Sequence, residues 1–442
     1  MNKDSRVRKI EKAAAAALVM PALSADQKAT ALSSFADRIW RKKDNLLQAN
    51  ARDLNREKKS LPAALLARLK LDESKIATLC EGIRALANAE DPVHRVIDRI
   101  ELDQGLVLEK RTVPIGVIAV IFESRPDVIP QILSLILKSG NVALLKGGRE
   151  ARLTNLAFMK IVSELNRELR FLPGAWAQLF IERSDVDLIL KQNKLVNLVI
   201  PRGSNALVQA IMNKTKIPVL GHADGVCHLY WDESADFATV RRVVIDAKTQ
   251  YPAVCNAVET LLVHRSRVAE LGELLHELDN RGVKIFGDSS VQRLYHATLK
   301  KKAGRAGNWH TEYSDLALSV RIVASVSEAI AHINRFGSHH TDGVLTRDLK
   351  SKQSFLAGVD SATITVNAST RFADGYRFGM GAEVGISTSK IHARGPVGVE
   401  GLMTNQFVLV GDGHIVGDYV ATNDGEMPAR KPVRKFTHRR LI

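Results

Sequence analysis

The sequence predicts an α/β protein built from more than one unit, and three features of it say so. Strand-length apolar runs alternate with helix-length stretches from about residue 116 to residue 367. The first ninety or so residues carry apolar side chains at helical spacing instead. Two hairpin signals flank the alternating region. At 442 residues the chain is too long for one ordinary core, so two or three structural units are expected.

In chain order, residues 5 to about 90 read as helices. Ala29, Leu32, Phe35, Ala36, Ile39 and Trp40 recur on one face, Ser24 is placed to cap that segment, and Asp91-Pro92 breaks the pattern. Ile97, Ile100, Leu102, Leu106 and Leu108 surround Asp103-Gln104-Gly105, a hairpin with glycine in its turn. Gly116–Phe122, Val142–Leu145, Gln178–Ile181 and Leu195–Ile200 have the unbroken apolar character of buried parallel strands, with helices Val128–Lys138 and Leu153–Leu169 among them. That alternation predicts an open doubly wound sheet. A second α/β unit follows. Its predicted strands are Cys227–Trp231, Thr260–Val263, Val320–Val323 and Thr363–Asn367, and its helices Phe237–Ala247, Val268–Arg281 and Val326–Arg335. The late hairpin is predicted as Gln406–Val410, a Gly411-Asp412-Gly413 turn, and His414–Val420. Hairpins lying outside an α/β body suit oligomer arms.

Composition narrows the function classes. Hydrophobic residues at 45% and charged residues at 25% give the balance of a soluble globular chain, and no apolar run approaches the roughly 18–20 residues of a membrane helix. Cys80, Cys227 and Cys255 are sparse, odd in number and far apart, which fits a reducing, cytoplasmic compartment rather than a disulfide framework. Neither these nor His339-His340 match a zinc spacing, so no metal is expected. The basic, Ala-rich opening reads as a helix and not a secretory signal, because Asp4 and Glu11 interrupt it. The net charge of +15 is drawn in part from Arg430, Lys431, Arg434, Lys435, Arg439 and Arg440 beside Pro428 and Pro432, a segment that reads as a disordered basic tail. No basic–aromatic alternation accompanies the charge, so a solvated surface is favoured over nucleic-acid binding.

Three segments can carry chemistry. Cys255, in Pro252-Ala-Val-Cys255-Asn256, precedes a buried strand, where backbone N–H groups could hold a thiolate nucleophile; a small buried side chain is the plainer alternative. Lys146 leaves a strand into Gly147-Gly148, placed either for a cofactor phosphate or ribose or as a surface lysine. Arg202-Gly203-Ser204 is a similar strand exit, either an anion-binding helix start or an ordinary capped turn. Gly379-Met-Gly381-Ala-Glu383-Val-Gly385 imitates a dinucleotide fingerprint with the wrong spacing and no βαβ unit, and reads as a close-packed active-site turn.

Taken together these segments resemble the γ-glutamyl phosphate reductases, a branch of the aldehyde dehydrogenase superfamily. The resemblance spans about residues 7–420. It is carried by Phe122-Glu-Ser-Arg-Pro126, Ser139-Gly-Asn141, Ile200-Pro-Arg-Gly203, Pro218-Val-Leu-Gly-His222-Ala-Asp-Gly225, Cys255-Asn-Ala-Val-Glu-Thr260, Val326 to Asp342, Asn367-Ala-Ser-Thr-Arg-Phe372, Gly379 to Gly385 and His392-Ala-Arg-Gly-Pro396. It implies an aldehyde-dehydrogenase-like fold: a Rossmann-like NADPH domain (1–95 and 113–223), an α/β catalytic domain (224–403), a β-hairpin oligomerisation arm (96–112 and 404–425) and the basic tail (426–442). It implies that Cys255 is the catalytic thiol and that Lys146, Gly147, Arg202, Gly203 and Ser204 form the cofactor-phosphate site. Glu312 would meet the nicotinamide ribose, and His222 the substrate. The implied reaction is reduction of γ-glutamyl phosphate by NADPH through a Cys255 thioester, in a homo-oligomer, with a separate glutamate kinase supplying the substrate.

One position departs from many bacterial members: Asp127 stands where an asparagine donates to the oxyanion, as in the reductase half of pyrroline-carboxylate synthases. Such a donor is worth about 3–4 kcal/mol, and an ionised carboxylate would repel the charge. Either Asp127 is held protonated or the backbone N–H groups of Cys255 and Asn256 take over. Arg125 and Arg371 suit substrate anions or structural ion pairs equally. A superfamily dehydrogenase of free aldehydes is the second enzymatic reading; it would not need phosphate.

Overall fold

The computed structural model describes residues 3–221, 224–420 and 433–442. Five helices open the chain: Lys3–Val19, Ala25–Arg41, Lys43–Glu57, Ala63–Leu69 and Glu73–Asn88. Ser24 caps the second in a reciprocal box, its hydroxyl accepting from Gln27 N and the Gln27 side chain accepting from Ser24 N. Of the face read from the spacing, that helix buries Leu32, Phe35, Ala36 and Ile39, while Trp40 at its end is exposed.

The hairpin of β1 (Val96–Asp103) and β2 (Leu106–Pro114) follows, with Gly105 at φ +75° in the turn, a conformation glycine adopts without steric cost. Four parallel strands, β3 (Val117–Phe122), β4 (Val142–Gly147), β5 (Ala177–Phe180) and β6 (Leu198–Arg202), form a sheet in the order β5-β4-β3-β6. Its two central strands, β3 and β4, are buried along their whole length, which is why they read as unbroken apolar runs.

The second unit is a seven-stranded parallel sheet. It comprises β7 (Cys227–Trp231), β8 (Val258–His264), β9 (Lys284–Gly287), β10 (Gly304–Arg305), β11 (Ala317–Val323), β12 (Thr341–Leu345) and β13 (Thr363–Val366), in the order β10-β9-β11-β8-β7-β12-β13. Its apolar core lies on Leu229, Trp231, Leu261, Val263, Leu274 and Val320. The short pair β14 (Ile386–Ser387) and β15 (Gly395–Pro396) ends it. No helix among the described residues is long and apolar enough to cross a membrane.

The last segment differs from expectation twice. β16 (Met403–Val410) forms where a strand was predicted, but its partner is β2, across eight residue pairs, and not His414–Val420. The free edge of β2 satisfies its backbone. The following chain instead folds back over the first hairpin, with the His414 ring against the Gln104 carbonyl and a short 3₁₀ turn at Val416–Asp418. The tail expected to be disordered is ordered over its described part, while residues 426–432 lie outside the described residues. β17 (Arg439–Arg440) pairs with β1, Arg434 meets Asp103 at 2.9 Å, Arg439 meets Glu101, and Phe436 stacks on Tyr419 at 4.4 Å. Counting basic residues missed this because the neutralising acids sit more than 330 positions earlier, on β1.

Candidate active site

The carboxyl end of β6 and the loop before β8 face each other across a cavity of about 340 Å³. Crevices beyond the strand ends are where open α/β sheets bind ligands. Cys255, Asn256, Arg125, Arg202, Gly203, Ser204, Glu312 and Arg371 all line it, so eight of the residues singled out from sequence converge there.

The thiol is half-buried and its loop is held from behind. Gly225 packs so closely that a Cβ there would lie 2.5 Å from Cys255 Cα and 2.6 Å from its Cβ. The Gly225 N–H donates to Glu312 Oε2 at 3.0 Å, and the buried Cys227 thiol donates to the Cys255 carbonyl at 3.1 Å. Asn256 is buried and its amide donates to the Ala373 carbonyl at 2.9 Å. Below the loop, Glu259 accepts from Lys248 at 2.8 Å and from the Ser314 N–H at 3.2 Å, which fixes the turn next to Glu312. Burial pushes the Glu259 carboxyl up to about 7 and lowers the Lys248 ammonium, each opposed by the other's charge.

Guanidinium groups dominate the walls. Burial, then the like charge of Arg125, lower the Arg202 pKa, while Glu383, Cys255 and Asp127 oppose them. Burial likewise lowers Arg371, whose Nε donates to Gln250 Oε1 at 3.0 Å. Burial raises the Glu383 carboxyl, and Arg202 acts against it. Sequence reasoning missed Arg68, which reaches from helix Ala63–Leu69 to the Ala253 carbonyl; nothing in its local sequence marks it. It also missed the packing role of Gly225. The Gly379–Gly385 turn does lie at the site: Gly385 has φ +149°, and a Cβ on it would come within 2.8 Å of Arg202 Nη1.

The structure separates other candidates. Arg202 lines the thiol cavity and Lys146 does not, with β3 standing between β6 and β4. Lys146 is 8% exposed at the end of β4, and its ammonium donates to the Gly147 carbonyl at 2.6 Å. Burial lowers its pKa against the pull of Asp185 and Glu150. Gly147 lines a shallow groove with Gly148, Arg149, Arg152, Leu179 and Phe180. Ser204 caps helix Asn205–Met212, and its N–H and hydroxyl face Glu123 Oε2 at 3.3 Å. Asp127 lines not the thiol cavity but an adjoining one of about 390 Å³, which shares Arg125, Arg202, Asp374 and Glu383 with it. His222 lies outside the described residues.

Two parallel α/β units meeting over a half-buried thiol define an aldehyde-dehydrogenase-type enzyme fold. The model of the aldehyde dehydrogenase family matches residues 2–285. The γ-glutamyl phosphate reductase of Pelotomaculum thermopropionicum is 48% identical over 96% of this chain and 95% of its own. That of Acetivibrio thermocellus is 46% identical over 96% of each. The crystal structure of the γ-glutamyl phosphate reductase of Thermotoga maritima superimposes with a TM-score of 0.87 at 34% identity, covering 93% of this chain and 99% of that one. The chain therefore belongs to the γ-glutamyl phosphate reductases of the aldehyde dehydrogenase family.

Proposed function

We propose that the chain reduces L-glutamyl 5-phosphate to L-glutamate 5-semialdehyde with release of phosphate, using NADPH and a thioester on Cys255, as a step of proline biosynthesis. The observation that carries this is the position of Cys255, half-buried in a crevice whose walls present Arg68, Arg125, Arg202 and Arg371. An acyl phosphate is both electrophilic and anionic, and such a cavity supplies a nucleophile together with planar cations.

In this reading the Cys255 thiolate adds to the acyl carbon and the carbon–oxygen bond to phosphate breaks, leaving a thioester on sulfur. The guanidiniums hold the leaving phosphate. The Cys255 and Asn256 N–H groups hold the oxyanion; the Asn256 side chain already serves the Ala373 carbonyl. Residues present suit a nicotinamide cofactor. Lys146 is a buried ammonium whose hydrogen bond is to its own neighbour's carbonyl, and Ser204 and Glu312 line the thiol cavity. Lys146, Gly147, Gly203 and Ser204 would hold its phosphates, and Glu312 would meet the nicotinamide ribose. When bound, NADPH supplies the hydride that takes the acyl carbon to the aldehyde level, after which the carbon–sulfur bond breaks and Cys255 returns to thiolate. A separate glutamate kinase would deliver the short-lived acyl phosphate, and copies would associate through the arm, where Phe407 and Leu409 of β16 are exposed.

The test is the reverse reaction with glutamate-5-semialdehyde, NADP and phosphate. The wild-type protein forms NADPH only when phosphate is present, and Cys255→Ser loses at least about a thousandfold. Turnover that needs no phosphate would show instead a dehydrogenase of free aldehydes.

A further inference from the structure

The adjoining cavity has its own chemistry. It lies between helix Glu73–Asn88, helix Val128–Lys138 and the turn at 374–383. It opens toward the thiol cavity along the four residues they share. One wall carries Asp127 and Gln131, and the facing helix carries Ser74, Lys75 and Thr78. Asp127 occupies the N-cap of the eleven-residue helix Val128–Lys138, yet its carboxylate makes no capping bond. It accepts instead from Gln131 Nε2 at 3.3 Å, which turns it along the cavity wall. Among the carboxylates around Arg202, Glu383 acts on that guanidinium more strongly than Asp127 does. Asp127 thus presents its carboxyl group at a cavity wall with a neutral amide as its hydrogen-bond partner.

We propose that this second cavity is the subsite for the α-amino-acid end of the substrate, with Asp127 reading the α-ammonium and Lys75 the α-carboxylate. The proposal rests on the reading of the substrate as γ-glutamyl phosphate and deepens it. It divides the molecule in two: the acyl phosphate reacts among the guanidiniums at Cys255, while the zwitterionic end lies on the far side of Arg125 and Arg202. Lys75, whose ammonium donates to the Lys70 carbonyl at 2.5 Å, and Asp127 stand on opposing walls, and the two signs match the two charges carried by one α-carbon. An ionised Asp127 would repel an oxyanion, so the same side chain suits the ammonium and not the role its sequence position suggests. A carboxylate also separates an amino-acid aldehyde from its des-amino analogue, which would leave that charge without a counterion.

The experiment compares glutamate-5-semialdehyde with 5-oxopentanoate, which differs only in lacking the ammonium. Phosphate-dependent NADPH formation is measured for the wild type, Asp127→Asn and Lys75→Gln, each checked for folding by thermal melting. Each substrate stock serves all three proteins, so the fraction of amino aldehyde held as its cyclic imine cancels. Asp127→Asn is expected to lower the ratio of kcat/KM between the two aldehydes at least thirtyfold. Lys75→Gln is expected to lower kcat/KM for both, with the ratio held within threefold, because both aldehydes keep the carboxylate. An Asp127→Asn ratio within threefold of wild type overturns the proposal, whether both rates fall together, as an oxyanion role would require, or neither moves. A ratio shifted by Lys75→Gln alone overturns it too. If the wild type turns over neither aldehyde with phosphate, the functional reading fails and takes this subsite with it. Failure confined to the ratio leaves that reading standing.

Discussion

Gly225→Ala asks whether the thiol is held in place by backbone packing. The added methyl carbon would sit 2.5 Å from Cys255 Cα and 2.6 Å from its Cβ. Carbon–carbon contacts are comfortable near 3.5–4.0 Å, so about 1 Å must be recovered. The obstructing atoms are mainly backbone, and no side-chain rotation relieves them. The Gly225 segment cannot retreat freely either, since its N–H is bonded to Glu312 and the next residue's N–H to Ser338 Oγ at 2.8 Å. Overpacking of this kind costs roughly 1–3 kcal/mol of stability. The catalytic cost is expected to be larger, because a 1 Å misplacement of a reacting group is worth about a hundredfold in rate. The assay is kcat in the phosphate-dependent oxidation of glutamate-5-semialdehyde, alongside urea unfolding. A folded Gly225→Ala protein with kcat within threefold of wild type would show that the Cys255 loop gives way harmlessly, and the packing argument would be wrong.

Two further outcomes follow from buried charge. Lys248→Met should destabilise the protein by about 3–5 kcal/mol in urea unfolding, because it strands the Glu259 carboxylate in the interior. Glu259 already has a folded pKa raised to about 7, above its unfolded value of about 4.5, so the ionised form is the unfavourable one in the fold. The unfolded value is common to both proteins, so the loss should grow as pH rises through about 7, the folded value, and shrink below it, and the double change with Glu259→Leu should recover most of it; equal losses at pH 4.5 and 8 would contradict this. His332 is lowered to about 3, first by burial and then by the charges of His228 and Arg321, and its Nδ1 lies 2.6 Å from Arg321 Nη1. Its folded pKa is below the unfolded value of about 6.5, so its contribution is present above pH 6.5 and is lost as pH falls toward 3. His332→Gln should remove about one proton, or roughly 1.4 kcal/mol per pH unit, from the acid limb of the stability profile; an unchanged slope would refute the assignment.

What the sequence made legible follows from which interactions are local. Helix Ala25–Arg41, β3 and β4 announce themselves because periodicity, capping and unbroken burial are written within a dozen residues. The elements Lys284–Gly287, Ser289–Leu299, Thr341–Leu345 and Leu349–Gly358 were not foreseen. Lys284–Gly287 is only four residues long, and Thr341–Leu345 begins with the polar pair Thr341-Asp342, whose burial depends on His228 and Ser361 from distant segments. β16 was found, yet its partner was misassigned, since the pairing of an edge strand depends on which edge is free and not on its own residues. The same limit applies to the site. Cys255, Arg202, Ser204 and Glu312 could be named from resemblance, but the division of Asp127 from Cys255, and of Arg202 from Lys146, needs the sheet order.

With the proposed substrate, that division would account for the arginines shared by the two cavities. A substrate with a phosphoryl group, a carboxylate and an ammonium cannot be recognised by one wall of one sign without repelling part of itself. On the proposed reading, Arg125 and Arg202 on the boundary would let both cavities use the same cations, one for the leaving phosphate and the other as a barrier to the ammonium. Glu383, half-buried and facing Arg202, then limits the mutual repulsion of the two guanidiniums before substrate arrives. On this argument Glu383→Gln should weaken the empty protein more than the one holding inorganic phosphate, because phosphate takes over the neutralising role. Phosphate should therefore raise the melting temperature of Glu383→Gln by more than it raises that of the wild type. Equal shifts in the two proteins would mean that Glu383 does not act through the arginine pair.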